Sequence, residues 1–303
     1  MAGRSASGNH RGYGHRMLLA TLLPALLLAP AGCGSGSGGG SGGGGMEELI
    51  PPGGDPGAAL ARWRTFPAEA DPRPLVLVGG LVAGPASGFS GGPDKEAYLA
   101  GAFDIATTLP AGPATADGYS LVPAKEAVDR LRATAAPGST SASRLRIVSA
   151  ALGQYGFGTD RGVRRLPAWR FGIDGVRDPA WVLAVDSPAL WPYQPDWGRG
   201  AGMSATLQSD GRTVSYEFIG GPDESGPCGA HYSASAKESA TAAVIEVRRV
   251  SKPQPAPPRE DGTVVVCNAM GYRRAITVQL AAPLGGRVLL TPDGAPIAVT
   301  GGG

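Results

Sequence analysis

The chain has 303 residues, with 27 Lys+Arg against 25 Asp+Glu. Arg4, Arg11 and Arg16 precede Cys33 and no acid does, so the remainder carries 24 basic against 25 acidic side chains. A body this close to neutral argues against nucleic acid as a partner, because neutralising phosphates takes a basic surplus.

Residues 1–32 read as an export signal. A polar, cationic start at 1–16 leads into the apolar run "MLLATLLPALLLAP", residues 17–30. Its 14 residues are too few to span a bilayer, which takes about 20. Ala31, Gly32 and Cys33 follow. This arrangement resembles a bacterial lipoprotein signal, with Pro30 standing where the box prefers leucine. The resemblance implies that Cys33 is diacylated, becomes the mature N-terminus and holds the protein on the extracytoplasmic face of the cell membrane. Two acyl chains anchor stably where one would be marginal. Residues 33–59 read as a Gly/Ser/Pro-rich tether, whose Gly34–Gly45 stretch is glycine and serine alone. As random coil that stretch spans about 20 Å. A start at Met46 is the other reading, and it would make a cytosolic chain without a leader.

The body reads as α+β and β-rich. Residues 60–190 are expected to form a domain of short helices on an antiparallel sheet. "LVLVGGLVAG" (75–84) has the continuous apolar character of a buried strand, and "DKEAYLAGAF" (94–103) that of a short helix with Asp94 at its start. "VPAKEAVDRLRATA" places Ala124, Ala127, Val128 and Leu131 on one helical face, and Pro137–Gly138 stops it. Strands are expected at 143–159, 166–175 and 179–187, separated by Gly/Asp turns. Residues 191–202, rich in Pro and Trp, read as a linker. From 203 to 300 the pattern is short strands, with a hairpin turn at Asp210-Gly211, which argues for an all-β, sandwich-like domain or an open barrel.

Three cysteines are present. If Cys33 is lipidated, Cys228 and Cys267 remain as a pair, which in an exported protein reads as a disulfide. Closing that loop would stabilise the fold by about 4 kcal/mol in the chain-entropy model.

Chemistry is sparse. Past the signal the one histidine is His231, and Cys228 and Cys267 lack CxxC spacing, so no metal site is expected. No phosphate-binding loop occurs, and no cofactor is implied. "GFSGG" (88–92) fits G-x-S-x-G around Ser90, the elbow of a secreted serine hydrolase, but alternating βα units do not follow it. Trp191, Tyr193 and Trp197 in "WPYQPDW" are candidate ligand-binding residues, since rigid aromatics stack on sugars or peptides, and equally candidates for domain packing. Arg161, Arg164, Arg165 and Arg170 either contact an anionic wall polymer or headgroup or form a solvated strand face.

"FPAEADPRPLVLVGG", "GFSGGPDKEAYLAGAF", "LPAWRFGIDG" and "CNAMGYRRAITVQLAAPLGGRVL" together resemble an uncharacterised family of actinobacterial secreted lipoproteins. That resemblance implies localisation and no activity. The expectation is a non-catalytic envelope lipoprotein that binds a cell-wall polymer or another envelope protein, or serves a structural role. The alternative is a hydrolase using Ser90.

Overall fold

A computed structural model describes residues 54–85, 88–192, 203–222, 228–250 and 270–301. All of them fall in one compact unit, Met46–Gly303. Among the described residues the fold is β-rich, with three α-helices, several sheets and no barrel.

The first element is helix α1, Pro56–Trp63, lying in part within the stretch expected to be tether. The Asp55 carboxylate accepts from the Gly57 N–H, and Pro56 occupies the first turn, where its missing N–H costs nothing. Ala59 and Trp63 are fully buried. They and Phe66 and Val76 share a core with Ala242, Val244, Val288 and Leu290. The stretch expected to be tether is therefore helical from Pro56, because this segment carries apolar residues at helical spacing that a second surface covers.

The run 75–84 is a correction of another kind. It is buried at Leu75, Val76 and Leu77. Its pairing is limited to single bridges, Leu75 with Leu190 and Leu77 with Thr159, before strand β1, Val82–Ala83. The chain turns at Gly79, whose φ of 112° ends any regular strand there. Helix α2 covers Gly92–Leu99, and strand β2 covers Phe103–Ile105. A small ribbon, β3 (Thr115–Ala116) with β4 (Tyr119–Ser120), precedes helix α3, Ala124–Arg132. All four residues on the expected face of α3 are buried. Arg130 fastens its exit by donating to the carbonyls of Leu183 and Val185 at 3.0 and 2.9 Å.

Long strands β5 (Leu145–Thr159) and β6 (Gly162–Ile173) and short β7 (Ala180–Leu183) form the expected antiparallel meander. With β1 antiparallel at one edge and β2 parallel at the other, the sheet runs β1-β7-β6-β5-β2. One face packs on α3 through Ile147, Trp169, Phe171 and Val182, with the Trp169 indole N–H donating to the Val122 carbonyl at 2.9 Å. The other face holds Phe157, Leu166 and Leu183 against Leu75 and Leu77.

The second half has strands β8 (Ser204–Leu207), β9 (Thr213–Gly220), β10 (Tyr232–Glu238), β11 (Ala242–Arg249), β12 (Tyr272–Gln279), β13 (Val288–Leu290) and β14 (Ala298–Gly301). They form two sheets, β12-β9-β8-β14 and β10-β11-β13, whose facing residues Tyr216, Phe218, Ile245 and Leu289 share one core. The expected hairpin joins β8 to β9. At its turn Asp210 accepts from the Thr213 hydroxyl and from the N–H groups of Thr213 and Arg212, which hold its carboxyl down to about 2. The expected strand "TVVVCNA", with Cys267, lies outside the described residues, as do Cys33 and the expected signal. Cys228 is disulfide-bonded to a partner outside them.

Loop 280–287 is braced by Glu238 and Arg287. The Glu238 carboxylate accepts from the Ala281 N–H at 2.6 Å and from Arg287 Nη1 at 2.8 Å. Arg287, 7% exposed, also donates to the Ala282 and Pro283 carbonyls. Burial alone would raise the Glu238 pKa, but the Ala281 N–H, Arg287 and the Ala282 N–H outweigh it and hold the carboxyl below its ordinary 4.5.

Two outcomes follow. Trp63→Ala should lower unfolding stability by about 3–5 kcal/mol in urea denaturation, as for other buried large-to-small changes; an unchanged midpoint would contradict the packing of α1 on this core. Because the Glu238 carboxyl is depressed in the folded state, its contribution is present above pH 4.5 and lost as pH falls through the folded value. Glu238→Gln should therefore be less stable than wild type at pH 7, with a shallower loss of stability on acidification; parallel pH profiles would contradict this.

Candidate functional site

The tip of the β5–β6 hairpin, Thr159–Gly162, lies where the N-terminal segment meets loop 280–287. Thr159 shapes the turn, its hydroxyl donating to the Gly162 carbonyl at 2.7 Å and accepting from the Arg161 N–H at 3.2 Å. Asp160 sits within this turn and is only 1% exposed. Its backbone is paired on both sides, donating to the Val76 carbonyl at 3.0 Å and accepting from the Val299 N–H at 3.2 Å.

The Asp160 carboxylate takes a two-pronged ion pair from Arg73, with Nη1 at 3.3 Å and Nη2 at 2.5 Å. Arg73 Nε donates to the Gly286 carbonyl at 2.9 Å, and its guanidinium lies 4.6 Å above the Phe66 ring. Glycine is required at 286, because a Cβ there would stand 2.0 Å from the Ala68 carbonyl oxygen. Arg161 completes the group. Its Nε is 3.9 Å from Asp160 Oδ2, while Nη2 donates to the carbonyls of Gly285 and Arg287 at 2.7 and 2.8 Å.

One buried carboxylate thus serves two arginines. Burial pulls the Arg161 pKa below its ordinary value, Asp160 opposes this, and the Arg73 charge adds to the fall. The guanidinium stays charged, and a further anion nearby would relieve it.

These residues line an open cleft of about 520 Å³, within the usual size of small-ligand sites. Arg73, Arg161 and Arg164 contribute cationic groups, Asp71 and Asp117 exposed carboxylates, and Tyr119 an aromatic wall. Arg164 is exposed, and its contact is a long 3.5 Å one from Nη2 to the Tyr119 hydroxyl. Asp117 accepts from Gln154 Nε2 at 2.8 Å. With Asp160 answered by Arg73, the cleft is lined by two further cations, Arg161 and Arg164, and two exposed carboxylates. Such a cleft suits a polar ligand carrying an isolated negative charge among hydroxyls, rather than a dense polyanion.

The other candidates are placed elsewhere. Trp191 packs on Trp63, stacked at 5.6 Å, and edge-on to Phe66 at 5.1 Å, so its ring belongs to the core around α1. Tyr193 and Trp197 lie outside the described residues. Ser90 stands just before α2, its hydroxyl donating to the Gly175 carbonyl at 2.6 Å. His231 immediately precedes β10, and its carbonyl accepts from the Val250 N–H at 2.9 Å. Arg165 and Arg170 are exposed on β6 and do not line the cleft. Among the described residues no group of three His, Cys, Asp or Glu side chains is placed to hold a metal.

From the sequence Arg161 and Arg164 are either an anion contact or a solvated strand face, and nothing there marks Arg73, Asp160 or Tyr119. The only local signal was Asp160 inside the Gly-Thr-Asp-Arg-Gly turn, which looks like ordinary turn chemistry.

Asp160→Asn keeps the shape and removes the charge, leaving Arg73 and Arg161 unanswered. It should cost about 3–5 kcal/mol of unfolding stability, as for other broken buried pairs. Arg164→Ala, at an exposed position, should stay within about 0.5 kcal/mol of wild type. Equal effects of the two by urea denaturation would refute this division between support and opening. Comparison with known proteins yields no match: no family model, no curated protein and no solved structure is found to match the chain.

Proposed function

We propose that the chain is a lipid-anchored protein of the cell envelope whose body binds a polar, anionic wall component without catalysis. The observation that carries the binding role is the open cleft lined by Arg161 and Tyr119, with the exposed Arg164 at its rim. Its volume of about 520 Å³ suits an acidic sugar, whose carboxylate an arginine pairs in two-pronged fashion and whose hydroxyls Asp71 and Asp117 accept from. The anchoring role rests on Cys33, at the end of the apolar run 17–30 and ahead of the Gly/Ser string. In the same reading residues 60–190 make the α+β part and 203–300 a sandwich-like part, with Cys228 paired to Cys267.

Both roles have direct tests. Cys33→Ser should release the protein from membranes into the medium on fractionation, and unchanged membrane retention would overturn the anchor. Wild-type protein should be retained on a cell-wall glycan fraction and eluted by glucuronate, whereas Arg164→Glu should lose retention while keeping its melting temperature. Equal retention of both would overturn the cleft as the binding site.

A further inference from the structure

Arg161 lines a second cleft as well as the first. This second depression, of about 410 Å³, is walled by Leu207, Gly211, Pro283, Gly285, Val299 and Thr300. The geometry of Arg161 explains how it serves both. Its Nε faces the Asp160 carboxylate of the first cleft at 3.9 Å, and Nη2 reaches the Gly285 carbonyl of the second at 2.7 Å. The loop carrying Gly285 is held by Arg287 and Glu238, so the far wall is braced rather than loose. Thr300 is exposed on β14 and lies along the second cleft.

We propose that the two clefts form one trough with Arg161 at its saddle, and that its occupant is a linear polymer of acidic sugars rather than a single small molecule. The inference rests on the binding role assigned to the first cleft and extends it from one residue of the ligand to several. The first cleft offers Arg164 with the Asp71 and Asp117 carboxylates, Arg161 lines both clefts, and the second offers the Gly285 carbonyl and Thr300. Two cations among groups that pair with hydroxyls match a chain in which carboxylates are spaced by hydroxyl-bearing rings. A polyphosphate, with its charges closer together and no hydroxyl-bearing ring between them, would set more charge against Asp71 and Asp117 and offer them no donors.

The test uses the detergent-solubilised full chain and galacturonate oligomers of increasing length, from monomer to nonamer, read by titration calorimetry. Affinity should rise about tenfold or more between the shortest and longest oligomers. Thr300→Trp, which fills the second cleft, should abolish that rise, and Thr300→Arg, which adds a cation there, should enlarge it. The melting temperature of each variant serves as the check on folding. Polyphosphate of matched length should bind more weakly. If the monomer binds and Arg164→Glu weakens it, but affinity is flat with length, the trough is wrong and the first cleft stands. If no oligomer binds at any length, both are wrong. Polyphosphate binding as tightly as the sugar acid would overturn the choice of polymer.

Discussion

The Asp160 carboxylate, buried in the turn of the β5–β6 hairpin, joins three segments that are far apart in the chain. Arg73 reaches it from the N-terminal segment and Arg161 from the next position. Through their remaining donors both arginines capture the carbonyls of Gly285, Gly286 and Arg287. A buried ion pair often adds little net stability over an apolar replacement, because desolvation offsets the attraction. Its value here is positional: the backbone of the same residue pairs with Val76 and Val299, so the carboxylate sets where the hairpin tip lies. The Glu238–Arg287 pair plays the supporting part, keeping loop 280–287 where its carbonyls can be used.

That arrangement gives the cleft its character. Arg73 is committed to Asp160 and the Phe66 ring, and Arg161 is shared between two carbonyls and one distant carboxylate oxygen. Arg164 is the charge on the rim with most freedom. A site built this way has a rigid floor and one adaptable edge, and an incoming anion would need to order few side chains on binding. The opposite arrangement holds at Ser90, whose hydroxyl is engaged with the Gly175 carbonyl.

Elements governed by local pattern were legible in the sequence. The face of α3 follows from four apolar residues at helical spacing, the β5–β7 meander from turn residues between apolar stretches, and the β8–β9 hairpin from Asp210-Gly211. Helix α1 is masked in the sequence although Asp55-Pro56 is a good start signal, because the surrounding proline and glycine have the composition of irregular chain. The run at 75–84 is less regular than its apolar pattern implies: it is buried at Leu75, Val76 and Leu77, but a ladder requires a partner along its length, and Gly79 breaks it. The site was half legible. Arg161 and Arg164 stood out as a local cluster, whereas Arg73 lies 87 positions from Asp160, and no periodicity or spacing links residues so far apart. Trp191 drew attention as a large aromatic in a stiff segment, and the same property makes it a packing residue beside Trp63.

The most direct test of Asp160 as the joint is native-state hydrogen exchange at the Asp160 and Val299 amides across a urea series. If the buried carboxylate fixes the hairpin tip to the rest of the unit, both amides should exchange only through global unfolding. Their exchange free energies should then equal that of the most protected core amides and fall with the full denaturant dependence. Fast exchange at these two positions, insensitive to urea, would show that the tip opens locally, and would contradict the account.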